Sequence, residues 1–168
     1  MGRNQIYQYY VEGETDKKMV DVLKTEYRVI IPGKTRKFNV INERLTRSRL
    51  IDLSPGTIVV LVFDTDVKSY DILIENIEFL KSETIVKDVI CITQVGNLED
   101  ELVRSCNIKY IKELTGSRSN KEFKGDMLKI NNLKQKLDEK GFDFKLFWVS
   151  ESVDSGAHIP NEANKIKK

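Results

Sequence analysis

Residues 57–66 read TIVVLVFDTD, an uninterrupted run of apolar and β-branched residues that ends in Asp64 and Asp66. A run of this kind predicts a strand with both faces buried, which is typical of a parallel sheet covered by helices. Earlier in the chain, residues 6–11 form another apolar run, which ends at Glu12. Because the carboxyl ends of parallel strands meet at one edge of a sheet, we expect the three acids to lie close together.

Strand-like and helix-like segments alternate along the first two thirds of the chain. Strands are predicted at residues 6–11, 27–31, 57–63 and 88–93, and helices at residues 14–24, 42–53, 70–81 and 98–106. Residues 34–37 are predicted to form a basic loop after Pro32-Gly33. The alternation predicts the α/β class, with a mainly parallel, Rossmann-like sheet flanked by helices.

The last third of the chain is expected to add a helix and a strand to this domain. Residues 126–139 have helical spacing, with Gly141 as a C-terminal cap, and the aromatic residues of 142–149 predict a final strand. The polar residues that follow are expected to be flexible. The predicted organisation is a domain, an extension packed on it, and a tail: residues 1–116, 117–149 and 150–168.

Composition and charge restrict the function classes. Of the 168 residues, 40% are hydrophobic and 32% are charged, which suits one folded domain and argues against disorder. The net charge is only +2, so a nucleic-acid-binding surface would have to be local. Cys91 and Cys106 form neither a disulfide framework nor a metal motif, and no signal peptide or membrane segment is evident. We therefore expect a cytoplasmic protein without membrane contact.

The acids at the strand ends predict a divalent metal site. Three carboxylates in a small volume repel one another unless a hard cation neutralises them, and oxygen ligands suit Mg²⁺ or Mn²⁺. The alternative is that Glu12 and Gly13 form an ordinary strand-to-helix turn, while Asp64 and Asp66 are turn-forming aspartates. The occurrence of both motifs in this order and spacing favours the metal site.

The ordered motifs resemble the TOPRIM domain of topoisomerases, bacterial primases, recombination proteins and overcoming-lysogenization-defect (OLD) nucleases. The resemblance covers about residues 5–107 and rests on VEG at residues 11–13, a helix, a strand that ends in Pro-Gly, and VFDTD at residues 62–66. It implies a magnesium site in which Glu12 takes part in acid–base or metal-binding chemistry. In the same comparison, Asp64 and Asp66 are the residues that hold metal.

Two further acids place the pattern closest to the OLD-type nuclease branch. Asp16 lies one helical turn after Glu12, where that branch has an acid that joins a two-metal site. Glu99 lies in a segment that resembles a further acidic motif of the branch. The alternative for Glu99 and Asp100 is a helix amino terminus with acids in its first turn and Asn97 as the cap.

Basic residues supply the remaining candidates. OLD-type nucleases use a lysine after their last acidic motif, so the resemblance implies that Lys124 or Lys121 stabilises a charged transition state. A solvated loop is the alternative for both. The densest basic stretch provides candidate contacts to a nucleic-acid backbone, although such a stretch is often only a solvated face. These candidate nucleic-acid-binding residues are Lys34, Arg36, Lys37 and Arg47.

The leading hypothesis is a stand-alone TOPRIM protein that carries out Mg²⁺-dependent, nuclease-like phosphodiester chemistry on DNA or RNA, with a protein partner as a source of further domains. No tyrosine lies in a topoisomerase cleavage context, so strand passage is disfavoured. The alternative is a non-catalytic binding or regulatory module that uses a cation to hold phosphate. A receiver-like domain is disfavoured because receivers carry their acidic pair after the first strand and the phosphorylated aspartate after a central one.

Overall fold

A parallel sheet forms the centre of the protein. The computed structural model describes residues 4–149 and 159–168. The strands are β1 (Ile6–Val11), β2 (Lys34–Lys37), β3 (Thr57–Asp64) and β4 (Val86–Gln94). Within the described residues all neighbouring strands are parallel, in the order β2-β1-β3-β4. The predicted α/β class, with a Rossmann-like sheet between helices, is confirmed.

Helices cover both faces of this sheet. In the described part of the chain they are α1 (Glu14–Val22), α2 (Arg47–Leu50), α3 (Asp71–Ser82), α4 (Leu98–Ser105), α5 (Lys112–Thr115), α6 (Phe123–Lys129) and α7 (Leu133–Glu139). Side chains from α1, α4, α5, α6 and α7 form one hydrophobic core with the sheet, and α2 and α3 contribute to a second core on the opposite face. None of the helices in the described ranges combines the length and hydrophobicity needed to span a bilayer.

Strand β3 separates the two cores, which explains its continuous apolar sequence. Val60 and Val62 belong to the first core, whereas Val59, Leu61 and Phe63 belong to the second. All five side chains are at most 1% exposed. Because successive side chains of a strand point to opposite faces, a strand buried on both faces has no polar position until it reaches the sheet edge. That edge is where Asp64 lies.

The prediction of a strand at residues 27–31 was wrong, because β2 comes later and consists of the predicted basic loop. Arg28 is left-handed, with φ of 58°, and Ile30 makes only an isolated antiparallel bridge to Lys167 near the end of the chain. The apolar residues of this segment pack in the first core, where Ile30 is fully buried. After Gly33 the chain reaches β1, and residues 34–37 pair with it.

Gly33 allows this approach, and we expect Gly33→Ala to destabilise the protein. A Cβ atom at this position would lie 2.5 Å from the backbone oxygen of Tyr7, a contact that only a backbone shift relieves. The expected loss is about 1–3 kcal/mol in the free energy of unfolding, measured by urea titration. Gly125→Ala is the control, because a Cβ at Gly125 would contact nothing within 4 Å. Equal stability of the two variants would contradict the close approach.

Two predicted helices are shorter or broken because side chains from elsewhere bind their backbones. The helix expected over residues 42–53 is only α2, since the buried Asn76 amide accepts from Leu45 N at 2.8 Å and donates to the Val40 and Glu43 carbonyls. The helix expected over residues 126–139 is divided into α6 and α7. In this case the Lys18 ammonium donates to the last carbonyls of α6 and to the Ile130 carbonyl.

The predicted strand at residues 142–149 was also wrong. Gly141 does follow α7 in the left-handed conformation expected of a cap, with φ of 68°. Beyond it the chain forms a short 3₁₀ turn, Phe144–Leu146, rather than a strand. Phe147 and Trp148 stack on each other and are buried in the first core. The aromatic residues therefore contribute packing to the core, not pairing to the sheet.

The carboxyl-terminal residues pack on the domain where the structure describes them. Residues 150–158 of the predicted flexible tail lie outside the described residues. In contrast to that prediction, Ile166 is fully buried, its carbonyl accepts from Ile31 N at 2.9 Å, and Lys168 N donates to the Val29 carbonyl. The apolar segment at residues 27–31 is thus paired with the end of the chain. The division into a domain and an extension stays a prediction, although both share the first core.

Candidate active site

The sheet order brings three strand ends side by side. Glu12 directly follows β1, Asp64 is the last residue of β3, and Gln94 is the last residue of β4. Val11 is aligned with Val62 on the neighbouring strand, and Asp64 is aligned with Gln94. In open parallel sheets, binding sites form beyond this carboxyl edge. Two of the predicted acids therefore lie next to each other at the expected place.

Glu12 and Asp64 form a pair of neighbouring carboxyl groups at this edge. Burial and the charges of Asp16 and Asp66 raise the pKa of Glu12, while hydrogen bonding to Asp64 holds it down. Burial, followed by the hydrogen bond and the negative charge of Glu12, raises the pKa of Asp64 to about 9. The raised pKa of Asp64 favours its protonated form, which reduces the charge repulsion between two acids that lie side by side.

Gln94 connects this pair to a further acid. Its amide nitrogen donates to Asp64 Oδ1 at 2.8 Å and to Asp16 Oδ1 at 2.9 Å, and its amide oxygen accepts from Trp148 Nε1 at 3.2 Å. The side chain is 1% exposed. Because the indole N–H occupies the amide oxygen, the amide NH₂ group must face the two acids. The sequence predictions missed Gln94, although its place at a strand end gave the same signal as Asp64.

Asp16 enters the site from the first turn of α1. It is 7% exposed, and burial raises the pKa of its carboxyl group, with a smaller contribution from the charge of Glu99 and opposed by the Gln94 hydrogen bond. The helix begins after Gly13, at which a Cβ atom would lie 3.3 Å from Asp16 Oδ2. The predicted grouping of Asp16 with Glu12 and Asp64 is thus present in the structure.

Asp66 lies at the rim of the site. It is exposed, and its carboxylate accepts from Asn97 Nδ2 at 3.1 Å. The loop that carries it is held to the loop after β4, since the backbone N–H groups of Thr65 and Asp66 both donate to the Gly96 carbonyl. Its negative charge contributes to the raised pKa of Glu12, which places the two carboxylates within electrostatic range of each other.

Helix α4 supplies Glu99, and α6 supplies the basic candidate Lys124. Asn97 caps α4, with its side chain accepting from Asp100 N at 3.0 Å, as the structural interpretation of this motif predicted. Glu99 nevertheless faces the site, and Lys124 Nζ lies 3.2 Å from Glu99 Oε1. Partial burial lowers the pKa of the Lys124 ammonium, but the charges of Glu99, Asp16 and Asp64 outweigh it and raise the pKa.

A buried glutamate that the sequence predictions missed holds the carboxyl-terminal segment against the site. Glu101 is 1% exposed, accepts from Val95 N at 3.0 Å and from Trp148 N at 3.1 Å, and pairs with Arg104. Trp148 is thereby fixed by its backbone N–H to α4 and by its indole N–H to Gln94. The acid pattern LEDEL gave no means of separating this structural carboxylate from Glu99.

The predicted nucleic-acid-binding residues do not gather around the acids. Arg36 pairs with Asp52, and Arg47 pairs with Glu83 at 3.1 Å. Lys34 is exposed and aligned with Gln8, three residues back from the sheet edge. Lys37 is aligned with Val11 at that edge, where its ammonium lies 3.6 Å from Glu14. Only Lys37 of this set therefore lies beside the site.

In the part of the chain that the structure describes, the carboxylates are not arranged as a ready set of metal ligands. Within residues 4–149 and 159–168, no three or more histidine, cysteine or acidic side chains are placed so that they could hold a metal ion. The donor chemistry nevertheless suits Mg²⁺ or Mn²⁺, since the candidate ligands Glu12, Asp64 and Asp16 are all carboxylates. Metal binding there would require release of the proton from Asp64.

No protein-family model, curated protein or solved structure matches this chain. The function therefore has to be argued from the site.

Proposed function

We propose that this chain is a TOPRIM-like protein, closest in motif pattern to the OLD-type nucleases, which carries out Mg²⁺-dependent phosphodiester chemistry on nucleic acid. The observation that supports this most directly is the position of Glu12 and Asp64 at the carboxyl edge of a parallel sheet, where Gln94 joins Asp64 to Asp16. Buried acids with raised pKa values are costly to the fold and are typical of functional sites.

The acidic residues supply the ligands and a base. Glu12, Asp64, Asp16, Asp66 and Glu99 offer carboxylate oxygens for one or two ions. When bound, Mg²⁺ or Mn²⁺ would polarise the phosphate and lower the pKa of an attacking water. Glu12, whose pKa burial raises, is the base that accepts a proton from that water.

Lys124 supplies the positive charge for the transition state. Its ammonium is paired with Glu99 and lies in the field of Asp16 and Asp64, so it faces the reacting region while remaining protonated. A cation directed at the charge that develops on a phosphoryl group contributes to catalysis by electrostatic stabilisation. Its side chain is 63% exposed, which leaves it accessible to a substrate.

We expect Lys124→Met to reduce the rate of cleavage by about 10²–10³-fold, because removal of one stabilising donor has an effect of this order. Glu12→Gln is expected to lose activity by about 10²–10⁴-fold through loss of the base. The measurement is cleavage of labelled DNA and RNA in Mg²⁺ or Mn²⁺ against EDTA. Lys134→Met is the control, because Lys134 pairs with Asp138 on α7, outside the acid group.

A non-catalytic module that holds phosphate through a cation is the second candidate. It is favoured by the present arrangement of the acids, which in the described residues are not placed as a ligand set. Trp148 is the only tryptophan, and its indole is hydrogen-bonded to Gln94, so its fluorescence should report cation binding directly. A Mn²⁺-dependent fluorescence change without any cleavage by the wild type would favour this module and overturn the nuclease proposal.

A further inference from the structure

The structure contains a groove beside α6 that is lined by cations without internal partners. The groove has a volume of about 540 Å³ and is lined by Arg118, Lys121 and Lys129, with Gly116, Gly125 and Asp126 between them. All three cationic side chains belong to exposed residues. In the part of the chain that the structure describes, none of the three forms an ion pair.

The basic stretch that the sequence singled out differs in this respect. Arg44 pairs with Glu75 at 2.6 Å, Arg47 with Glu83 at 3.1 Å, and Arg49 with Glu43 at 3.9 Å. A phosphate that binds there has to compete with carboxylates that already occupy the guanidinium groups. Phosphates that bind in the groove release only counterions, which favours association.

The helix backbone at Gly125 is accessible from the groove. Lys121, Gly125 and Lys129 are spaced four residues apart, which places them along one side of α6 and the turn before it. A Cβ atom at Gly125 would contact nothing within 4 Å, so no neighbour in the protein requires a glycine there. Glycine inside a helix costs about 1 kcal/mol relative to alanine. A ligand that approaches the helix backbone closely gives a reason for this residue.

Two acids also line the groove without cancelling its charge. Asp126 accepts from Ser117 Oγ at 2.6 Å, and Ser117 is in turn hydrogen-bonded to Thr115 at 2.6 Å, so this carboxylate belongs to the groove wall. Glu122 is exposed and forms no ion pair in the described ranges. The groove lining therefore carries three cations and two acids.

Helix α6 connects the groove to the acid pair. Lys124 lies between Lys121 and Gly125 in the sequence, and the negative charges of Asp16 and Asp64 raise the pKa of its ammonium, which places it within electrostatic range of both acids. The helix is fixed to α1, which carries Asp16, because the Lys18 ammonium donates to the Met127 carbonyl at 2.6 Å. The contact between α1 and α6 therefore fixes the position of the groove cations relative to the acid group.

We propose that this groove binds the sugar-phosphate backbone of a nucleic acid and leads it past Lys124 to the Glu12–Asp64 pair. The inference rests on the proposed function for the identity of the ligand. The phosphates contact Arg118, Lys121 and Lys129, and the binding is independent of base sequence, since these contacts reach only the backbone. The surface on β2 and α2 that the sequence suggested takes no part.

The test compares two triple variants that remove the same charge. Arg118→Ala/Lys121→Ala/Lys129→Ala changes the groove, and Arg44→Ala/Arg47→Ala/Arg49→Ala changes the ion-paired surface. Fluorescence anisotropy with labelled DNA and RNA single strands of about 20 nucleotides is measured in EDTA over a range of salt. The groove variant should bind at least about 10-fold more weakly and reduce the salt slope by about 2, while the control changes less than about 3-fold.

The possible results distinguish the groove proposal from the proposed nuclease activity. Equal losses in the two triple variants, or no binding by the wild type, would overturn the groove proposal. Because binding is measured in EDTA, weak binding by the groove variant together with no cleavage by the wild type would support the groove and overturn the nuclease. If the groove variant retains metal-dependent cleavage at an unchanged KM, the result would support the nuclease and overturn the groove proposal. Thermal melts confirm that both variants fold.

Discussion

Replacing Asp64 with asparagine is expected to stabilise the protein in EDTA, increasingly so as the pH rises. The pKa of Asp64 is about 9 in the folded chain, well above that of an aspartate in an unfolded chain. Between about pH 4 and pH 9 the folded state therefore holds a proton that the unfolded state has released. The free energy of unfolding of the wild type falls across this window, by at most about 1.4 kcal/mol per pH unit from this group.

Asparagine reproduces the protonated form at every pH. Its amide oxygen can accept from Gln94, and its NH₂ group can donate to Glu12, as the protonated Asp64 does. The variant should match the wild type near pH 4 and exceed it by about 1–3 kcal/mol near pH 8. Urea titrations at several pH values measure this difference. Asp66→Asn, the same change at an exposed neighbouring position, should shift stability by less than about 0.5 kcal/mol.

Addition of Mg²⁺ should reverse the order of stability. A cation that binds only the folded wild type raises its melting temperature by mass action, whereas Asp64→Asn has lost a ligand. A melting temperature of the variant that rises with Mg²⁺ as much as that of the wild type would contradict the metal site. A variant less stable than the wild type in EDTA near pH 8 would contradict the raised pKa of Asp64.

Gln94→Leu is expected to destabilise the protein by about 2–4 kcal/mol in the free energy of unfolding. The substitution removes the donor shared by Asp16 and Asp64 and leaves the indole N–H of Trp148 buried without its acceptor. Buried polar groups left unpaired cost about 1–3 kcal/mol each, partly offset here by the added apolar side chain. Guanidinium titration followed by circular dichroism measures the loss.

An exposed glutamine gives the matched control. Gln135 donates to Glu139 at 3.0 Å on the surface of α7, so Gln135→Leu should change stability by less than about 0.5 kcal/mol. Gln94→Leu should also shift the emission of Trp148, whose indole loses its hydrogen bond. Equal effects of the two leucine substitutions, or unchanged emission of Trp148 in Gln94→Leu, would show that the amide does not connect the acids to the indole.

The sequence predicted the sheet because the relevant signals are local. A strand buried on both faces is apolar throughout, so β1, β3 and β4 are visible as runs, and the acids that end β1 and β3 mark the sheet edge. Strand β2 gave the opposite signal: its residues KTRK are basic and only partly buried, as suits an edge strand. The strand was predicted at the apolar residues 27–31 instead, because hydrophobic periodicity does not show which segment forms hydrogen bonds with the sheet.

Two helices were predicted too long because side chains from distant parts of the sequence bind their backbones. Asn76 holds residues 40–45 out of a helix, and Lys18 ends α6 before residue 130. Neither contact can be predicted from the local sequence, because the donor or acceptor lies tens of residues away. The aromatic segment at residues 142–149 has the composition of a strand but packs through its rings.

By itself the sequence determined the class of fold, the strand ends at Glu12 and Asp64, and the acidic character of the edge, because each depends on residues close together in the chain. Only the tertiary structure decided that burial raises the pKa of Asp64, that Gln94 joins Asp64 to Asp16, and that Trp148 orients Gln94. Those properties depend on burial and on distances between different elements. The tertiary structure also showed which basic residues are already paired with acids, because ion pairing depends on distances that the number of charges in the sequence does not give.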